Sequence, residues 1–148
     1  MRTLLCAALV VAACAPGEKA GTPATAAATG PATKYTGTWD GRSYRTASDT
    51  GVAFTVVMAL VADGTLRGTL TYAGTTAPPV AIRVREFSDT NFVQELGPYH
   101  SRVADKDVVT RAVGHVTGDS MSGTFEMRPP GGGAVIMTGT FRAKKVAS

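Results

Sequence analysis

Residues 63–72 read Asp63-Gly64-Thr65-Leu66-Arg67-Gly68-Thr69-Leu70-Thr71-Tyr72. Leu66, Gly68, Leu70 and Tyr72 alternate with Thr65, Arg67, Thr69 and Thr71. A period of two is that of a strand, whose successive side chains point to opposite faces. One face here is dry and the other wet. The Asp-Gly pair ahead of it predicts a hairpin with a type I′ turn, which sets both central residues at positive φ.

Working outward, the same alternation recurs. Met121, Gly123, Phe125 and Met127 oppose Ser122, Thr124 and Glu126. Val135, Met137, Gly139 and Phe141 oppose Ile136, Thr138, Thr140 and Arg142. Val80, Ile82 and Val84 oppose Ala81, Arg83 and Arg85. Residues 53–61 are apolar on both faces and read as a buried or covered strand, with Val56, Val57 and Val61 favouring strand over helix. Residues 91–96 and 108–117 fill the remaining places. Gly118-Asp119 reads as a second turn. Pro78-Pro79 and Pro129-Pro130-Gly131-Gly132-Gly133 are loops, because proline cannot donate to a central ladder. His100, after Pro98-Tyr99, falls in a loop on this reading. No amphipathic helix stands out, and a short one near residues 104–109 is the competitor there.

These runs predict an all-β fold: a single small antiparallel up-and-down (meander) barrel of about eight strands. Closure leaves no unpaired edge, unlike a sandwich. An outer-membrane barrel is disfavoured. Its lipid-facing side would be apolar, whereas the polar faces here carry Thr, Arg and Glu. Gly-Thr followed by a large apolar residue occurs at Gly37-Thr38-Trp39, Gly68-Thr69-Leu70, Gly123-Thr124-Phe125 and Gly139-Thr140-Phe141. Small beside large on one face suits the inside of a narrow barrel.

At Gly37-Thr38-Trp39 and residues 63–72 the chain resembles the opening strands of avidin-like and lipocalin-like barrels. The resemblance implies that Trp39 plugs one end of an up-and-down barrel. It does not carry biotin with it. Trp39 is the one Trp of the chain, and Asp40-Gly41-Arg42-Ser43 does not match the polar residues that follow the first avidin Trp.

The N-terminus is an address. Arg2 precedes an uncharged apolar run at residues 4–13. A membrane-spanning helix needs about 20 such residues, so this run matches a signal peptide instead. It ends in Val11-Ala12-Ala13-Cys14, which resembles the lipobox of bacterial lipoproteins. That resemblance implies cleavage before Cys14, a lipid thioether on Cys14 and acylation of the new amino terminus. Several chains anchor where one would not. The division expected is therefore 1–13 signal peptide, 14–34 lipidated Cys and flexible linker, and 35–148 barrel. Residues 15–34 are Ala, Thr, Pro, Gly, Lys and Glu alone. They have no large apolar side chain to offset the entropy of ordering. A flexible spacer of this length has a root-mean-square span of roughly 25 Å.

The whole chain has 148 residues and a formal charge of +4. The length allows one domain. The charge is too mild to argue for nucleic acid. The lipobox resemblance implies that Cys6 leaves with the signal and that Cys14 carries lipid, and so that the mature chain forms no intramolecular disulfide. It also implies a lipid anchor and a bacterial cell-envelope location, with the outer membrane favoured in a Gram-negative source because Ala15, not Asp, follows Cys14.

Chemistry is sparse. His100 and His115 are the two histidines, with no thiol left to join them in a zinc site. No Gly-x-Ser-x-Gly elbow occurs. Asp105-Lys106-Asp107 supplies too few oxygens for calcium and reads as a solvated turn. Arg83, Arg85, Lys144 and Lys145 could meet anionic headgroups but read as solvated surface. No enzyme, cofactor or metal is expected. The expected function is a non-enzymatic binding module for a small apolar ligand, lined by Trp39, Phe54, Tyr72, Phe125 and Phe141. The alternative is a filled barrel that acts as a protein-interaction or inhibitor module for an envelope protein through its loops and outer face. A cavity of about 300 Å³ or more favours the first.

Overall fold

The computed structural model describes residues 30–147. The expected signal peptide, residues 1–13, Cys14 and residues 15–29 of the expected spacer lie outside them. Eight antiparallel strands run in sequence order: β1 Gly37–Tyr44, β2 Val52–Leu60, β3 Leu66–Tyr72, β4 Val80–Phe87, β5 Asn91–Ser101, β6 Lys106–Thr117, β7 Ser120–Arg128 and β8 Met137–Lys145. Each pairs with the next, and β8 returns to β1 to close the barrel. The closing register sets Trp39 opposite Lys145, Gly41 opposite Ala143 and Ser43 opposite Phe141. The all-β meander barrel of the sequence reading is thus the fold.

Alternation decides what is inside. Along β6, Val108, Thr110, Ala112, Gly114 and Val116 are buried between exposed or half-buried neighbours. Val56, Met58, Leu66, Leu70, Val80, Ile82, Phe92 and Leu96 bury into the same core from β2 to β5. Burying each such large side chain contributes about 1.5–3 kcal/mol. Rings of phenylalanine stand opposite glycines across the ladders: Phe54 on Gly41, Phe92 on Gly114, Phe125 on Gly139 and Phe141 on Gly123. A Cβ at any of these glycines would collide with the facing ring.

One end of the barrel is sealed. Pro31–Lys34 forms a 3-10 turn with Ala32 buried. Tyr35 follows at 1% exposure, and its ring packs edge-on to Phe87 and Phe92. The Tyr35 hydroxyl, 2.8 Å from the carbonyl of Ser88 and 3.0 Å from that of Asn91, ties the turn to the β4–β5 connection. Trp39 is fully buried, and its Nε1 donates to the Tyr35 carbonyl at 3.0 Å. The Lys145 ammonium sits 5.4 Å from the centre of the Trp39 ring. Trp39 therefore plugs this end, as the barrel resemblance implied.

Four local expectations are corrected, and one competing reading is removed. The spacer does not run to Lys34, because Pro31–Lys34 is ordered by the burial of Ala32 and by a Thr33 hydroxyl bond to Gly30. The Asp63-Gly64 turn is not type I′: Gly64 alone takes positive φ. Val61 pairs with Thr65 and accepts from the Gly64 N–H, so the loop has three residues and closes on a left-handed glycine. Strand β2 is not covered outside, since Val52 and Val57 are 42% and 48% exposed. Residues 104–109 hold turn and strand, not helix, with Asp105 at φ 47. His100 is not in a loop. Strand β5 continues through a register shift between Leu96 and Tyr99, and His100 pairs with Asp107.

Candidate functional site

The sealed end leaves the other end as the mouth. It is framed by the connections after β1, β3, β5 and β7. The end of β3 brings Tyr72, the start of β2 brings Phe54, and the end of β7 brings Phe125 and Met127. Phe141 reaches in from β8 opposite Gly123. All five residues expected at a binding site, Trp39, Phe54, Tyr72, Phe125 and Phe141, line one cavity. Trp39, Phe54 and Phe141 are buried, and Tyr72 and Phe125 are half-buried. Cys14 lies outside the described residues.

The cavity is small. It offers about 50 Å³, against the roughly 300 Å³ at which ligand pockets usually begin. The aromatic rings laid over bare glycine backbone are the cause, since they occupy the bore. The interior falls short of the volume expected of an internal ligand site, and a drug-sized ligand does not fit it.

Sequence reasoning missed the polar part of the lining. Gln94, Thr110 and Ser43 share the cavity with the aromatics. Gln94 and Thr110 are 7% and 4% exposed. The hydroxyls of Tyr99 and Thr110 lie 2.9 Å apart. Burial, and secondarily Tyr99, pushes the Tyr72 phenol well above its ordinary value, so it stays neutral. Among the described residues the Gln94 carboxamide makes no hydrogen bond. None of the lining residues is Asp, Glu, Lys, Arg or His. The interior can therefore hold an uncharged group and present it with hydrogen-bond donors and acceptors.

The outer wall carries a second feature. A groove of about 410 Å³ crosses β6, β7 and β8, edged by Arg45, Arg111, Val113, Glu126 and Thr140. Thr124, Thr138 and Thr140 share this groove with Arg45, Arg111 and Glu126. Arg42 and Arg142 stand directly opposite one another on β1 and β8. Arg85 pairs with Glu95 at the β4–β5 ladder, while Arg83 is exposed and Lys144 donates to Ser120.

The histidines take separate places. His100 Nδ1 is 3.2 Å from Asp107 and Nε2 is 3.6 Å from Asp105, all of them exposed. His115 Nε2 lies 3.2 Å from the Ser122 hydroxyl on the outer face. No group of three or more His, Cys, Asp or Glu side chains is gathered for a metal among the described residues. No described helix is long and apolar enough to cross a membrane. Compared with known proteins, the chain matches no family model, no curated protein and no solved structure.

Proposed function

We propose that this protein is an exported, lipid-anchored binding module of the bacterial cell envelope. Its barrel takes a small, mainly apolar ligand at the open mouth. The observation that carries the reading is the interior cavity on which Trp39, Phe54, Tyr72, Phe125 and Phe141 converge. Its volume of about 50 Å³ limits the ligand to a slender group, with any bulk left at the mouth. Met121 and Met127 line the same space, and thioether chains re-pack more readily than branched ones. The lipobox-like Val11-Ala12-Ala13-Cys14 supports anchoring through Cys14, and residues 15–29 supply a spacer. In a source with two membranes, Ala15 after the lipidated Cys favours the outer one.

The second reading is a filled barrel that recognises an envelope protein through its loops and outer face. The smallness of the interior and the groove of about 410 Å³ over β6–β8 favour it.

Native mass spectrometry of the full-length protein, taken from its own envelope, separates the two. A reproducible added mass of a small molecule, lost in Phe141→Trp, supports the interior. A bare chain that instead yields one protein adduct from a photo-crosslinker at Thr124, and none from one at Thr71 on the opposite wall, supports the outer face.

A further inference from the structure

We infer that the cavity receives the uncharged polar end of a narrow apolar molecule, with the Gln94 carboxamide as its hydrogen-bonding anchor. This rests on the reading of the barrel interior as the binding site, and it names the chemistry recognised there.

Gln94 is 7% exposed. It lies in a cross-strand row with Val84, Ala112 and Phe125. Its carboxamide has no hydrogen-bond partner among the described residues. Yet no described side-chain nitrogen or oxygen is both sealed off and unpaired. The carboxamide must therefore open onto free space, and the free space it lines is the cavity. A buried polar group without a partner is costly, while a leucine or methionine would fill the position without that cost. Thr110 differs, because Tyr99 already satisfies it. Gln94 is the buried lining side chain left with unspent hydrogen-bonding capacity, whereas Ser43 and Tyr72 are half-buried.

The residue type sets the ligand class. A carboxamide offers two donors and one acceptor and carries no charge. A carbonyl, amide or hydroxyl complements it. A carboxylate, phosphate or ammonium would be buried with no counter-charge, because no Asp, Glu, Lys, Arg or His lines the cavity and the Tyr72 phenol stays neutral. The bore of about 50 Å³ admits a linear end, not a ring system. The partners of Gln94 in its row, Val84, Ala112 and Phe125, are apolar, so the atoms that follow the polar end are alkyl. Water is the rival occupant, since a space of this size and polarity can hold it.

Trp39, the one Trp of the chain, lines the cavity and reports on it by fluorescence. The full lipidated chain in tryptophan-free phospholipid vesicles is titrated with butanamide, with butanoate at neutral pH, and with 2-methyl-1-pentene, which has the shape of butanamide without its polar atoms. Free concentrations are measured in the aqueous phase. Saturable binding of butanamide is expected, about tenfold tighter than butanoate. Gln94→Leu and Gln94→Met are each expected to weaken butanamide about tenfold and to leave 2-methyl-1-pentene little changed. Equal butanamide binding by wild type and either folded variant overturns the inference. So does binding of 2-methyl-1-pentene alone, which assigns water to Gln94 but leaves the interior-binding reading standing. If no probe binds, both fall.

Discussion

Phe141 stands directly opposite Gly123 across β7 and β8, and its ring tip is 2.8 Å from where a Gly123 Cβ would be. The same relation holds between Phe125 and Gly139, Phe54 and Gly41, and Phe92 and Gly114. Each ring covers bare backbone and leans into the bore. Rings over glycine give a closed barrel a dense interior without disulfides. They also set the limit on what can enter.

Gly123→Ala is therefore expected to destabilise the fold by about 1–3 kcal/mol. The new methyl would meet the Val113 carbonyl and the Gly114 Cα as well as the ring, and backbone cannot step aside cheaply. Urea denaturation followed by circular dichroism checks it. An unchanged midpoint would mean that the β7–β8 face is looser than the register requires.

Trp39→Ala should cost about 3–5 kcal/mol. Trp39 is fully buried, and its loss also leaves the Tyr35 carbonyl without its indole donor. Such a loss is a large share of the ~5–15 kcal/mol available to a domain. The thermal midpoint, read by far-ultraviolet circular dichroism, should fall sharply. Little change would remove Trp39 from the role of plug.

Tyr35→Phe isolates the link between the 3-10 turn and the barrel. The hydroxyl meets two carbonyls of the β4–β5 connection, and losing it should cost about 1 kcal/mol. Amide exchange at Ser88 and Asn91 should rise, while amides at the mouth stay protected. Exchange that rises evenly over the barrel would contradict this division.

Two exposed turns carry a pH dependence. Backbone N–H groups of Gly51 and Arg45 hold the Asp49 carboxyl below its usual range. The Thr65 hydroxyl and N–H do the same for Asp63. Both groups take up protons at higher pH in the unfolded chain than in the folded one. Their stabilisation is thus present above the ordinary carboxylate value and lost as pH falls through the lowered folded values. Between about pH 5 and pH 2 the denaturation midpoint should drop. The Asp49→Asn, Asp63→Asn double variant should drop less, and equal slopes would sink the assignment.

Cys14→Ala tests the anchor. It should abolish incorporation of labelled acyl chains and release the protein from the membrane fraction. Undiminished labelling would place the lipid elsewhere or remove it from the account.

The strands were legible wherever one face was wet, as in Leu66–Tyr72 and Ser120–Arg128. They were misread where local punctuation outweighed pairing. Gly97-Pro98 looks like a loop, yet a register shift lets β5 pass through it and carry His100 into the ladder. Pro31 looks like a helix breaker, but proline fits the first position of a 3-10 turn, and burial of Ala32 rewards that turn. Tyr72, Phe125 and Phe141 could be read from alternation, whereas Trp39 rested on the barrel resemblance and Phe54 sits in a run apolar on both faces. Gln94 could not be read in either way. A single Gln between Phe92 and Leu96 gives no local sign of its role. Its meaning comes from the row it shares with Ala112 and Phe125 and from the space that row encloses.

The most direct measurement is the side-chain NH₂ resonance of Gln94 in the full chain, followed as butanamide is added. The account requires a saturable shift, with magnetisation transfer from the butanamide methylenes to Trp39 and Phe141. A resonance that stays fixed while butanamide reaches saturation elsewhere, or transfers to outer-face residues such as Thr124 instead, would contradict it.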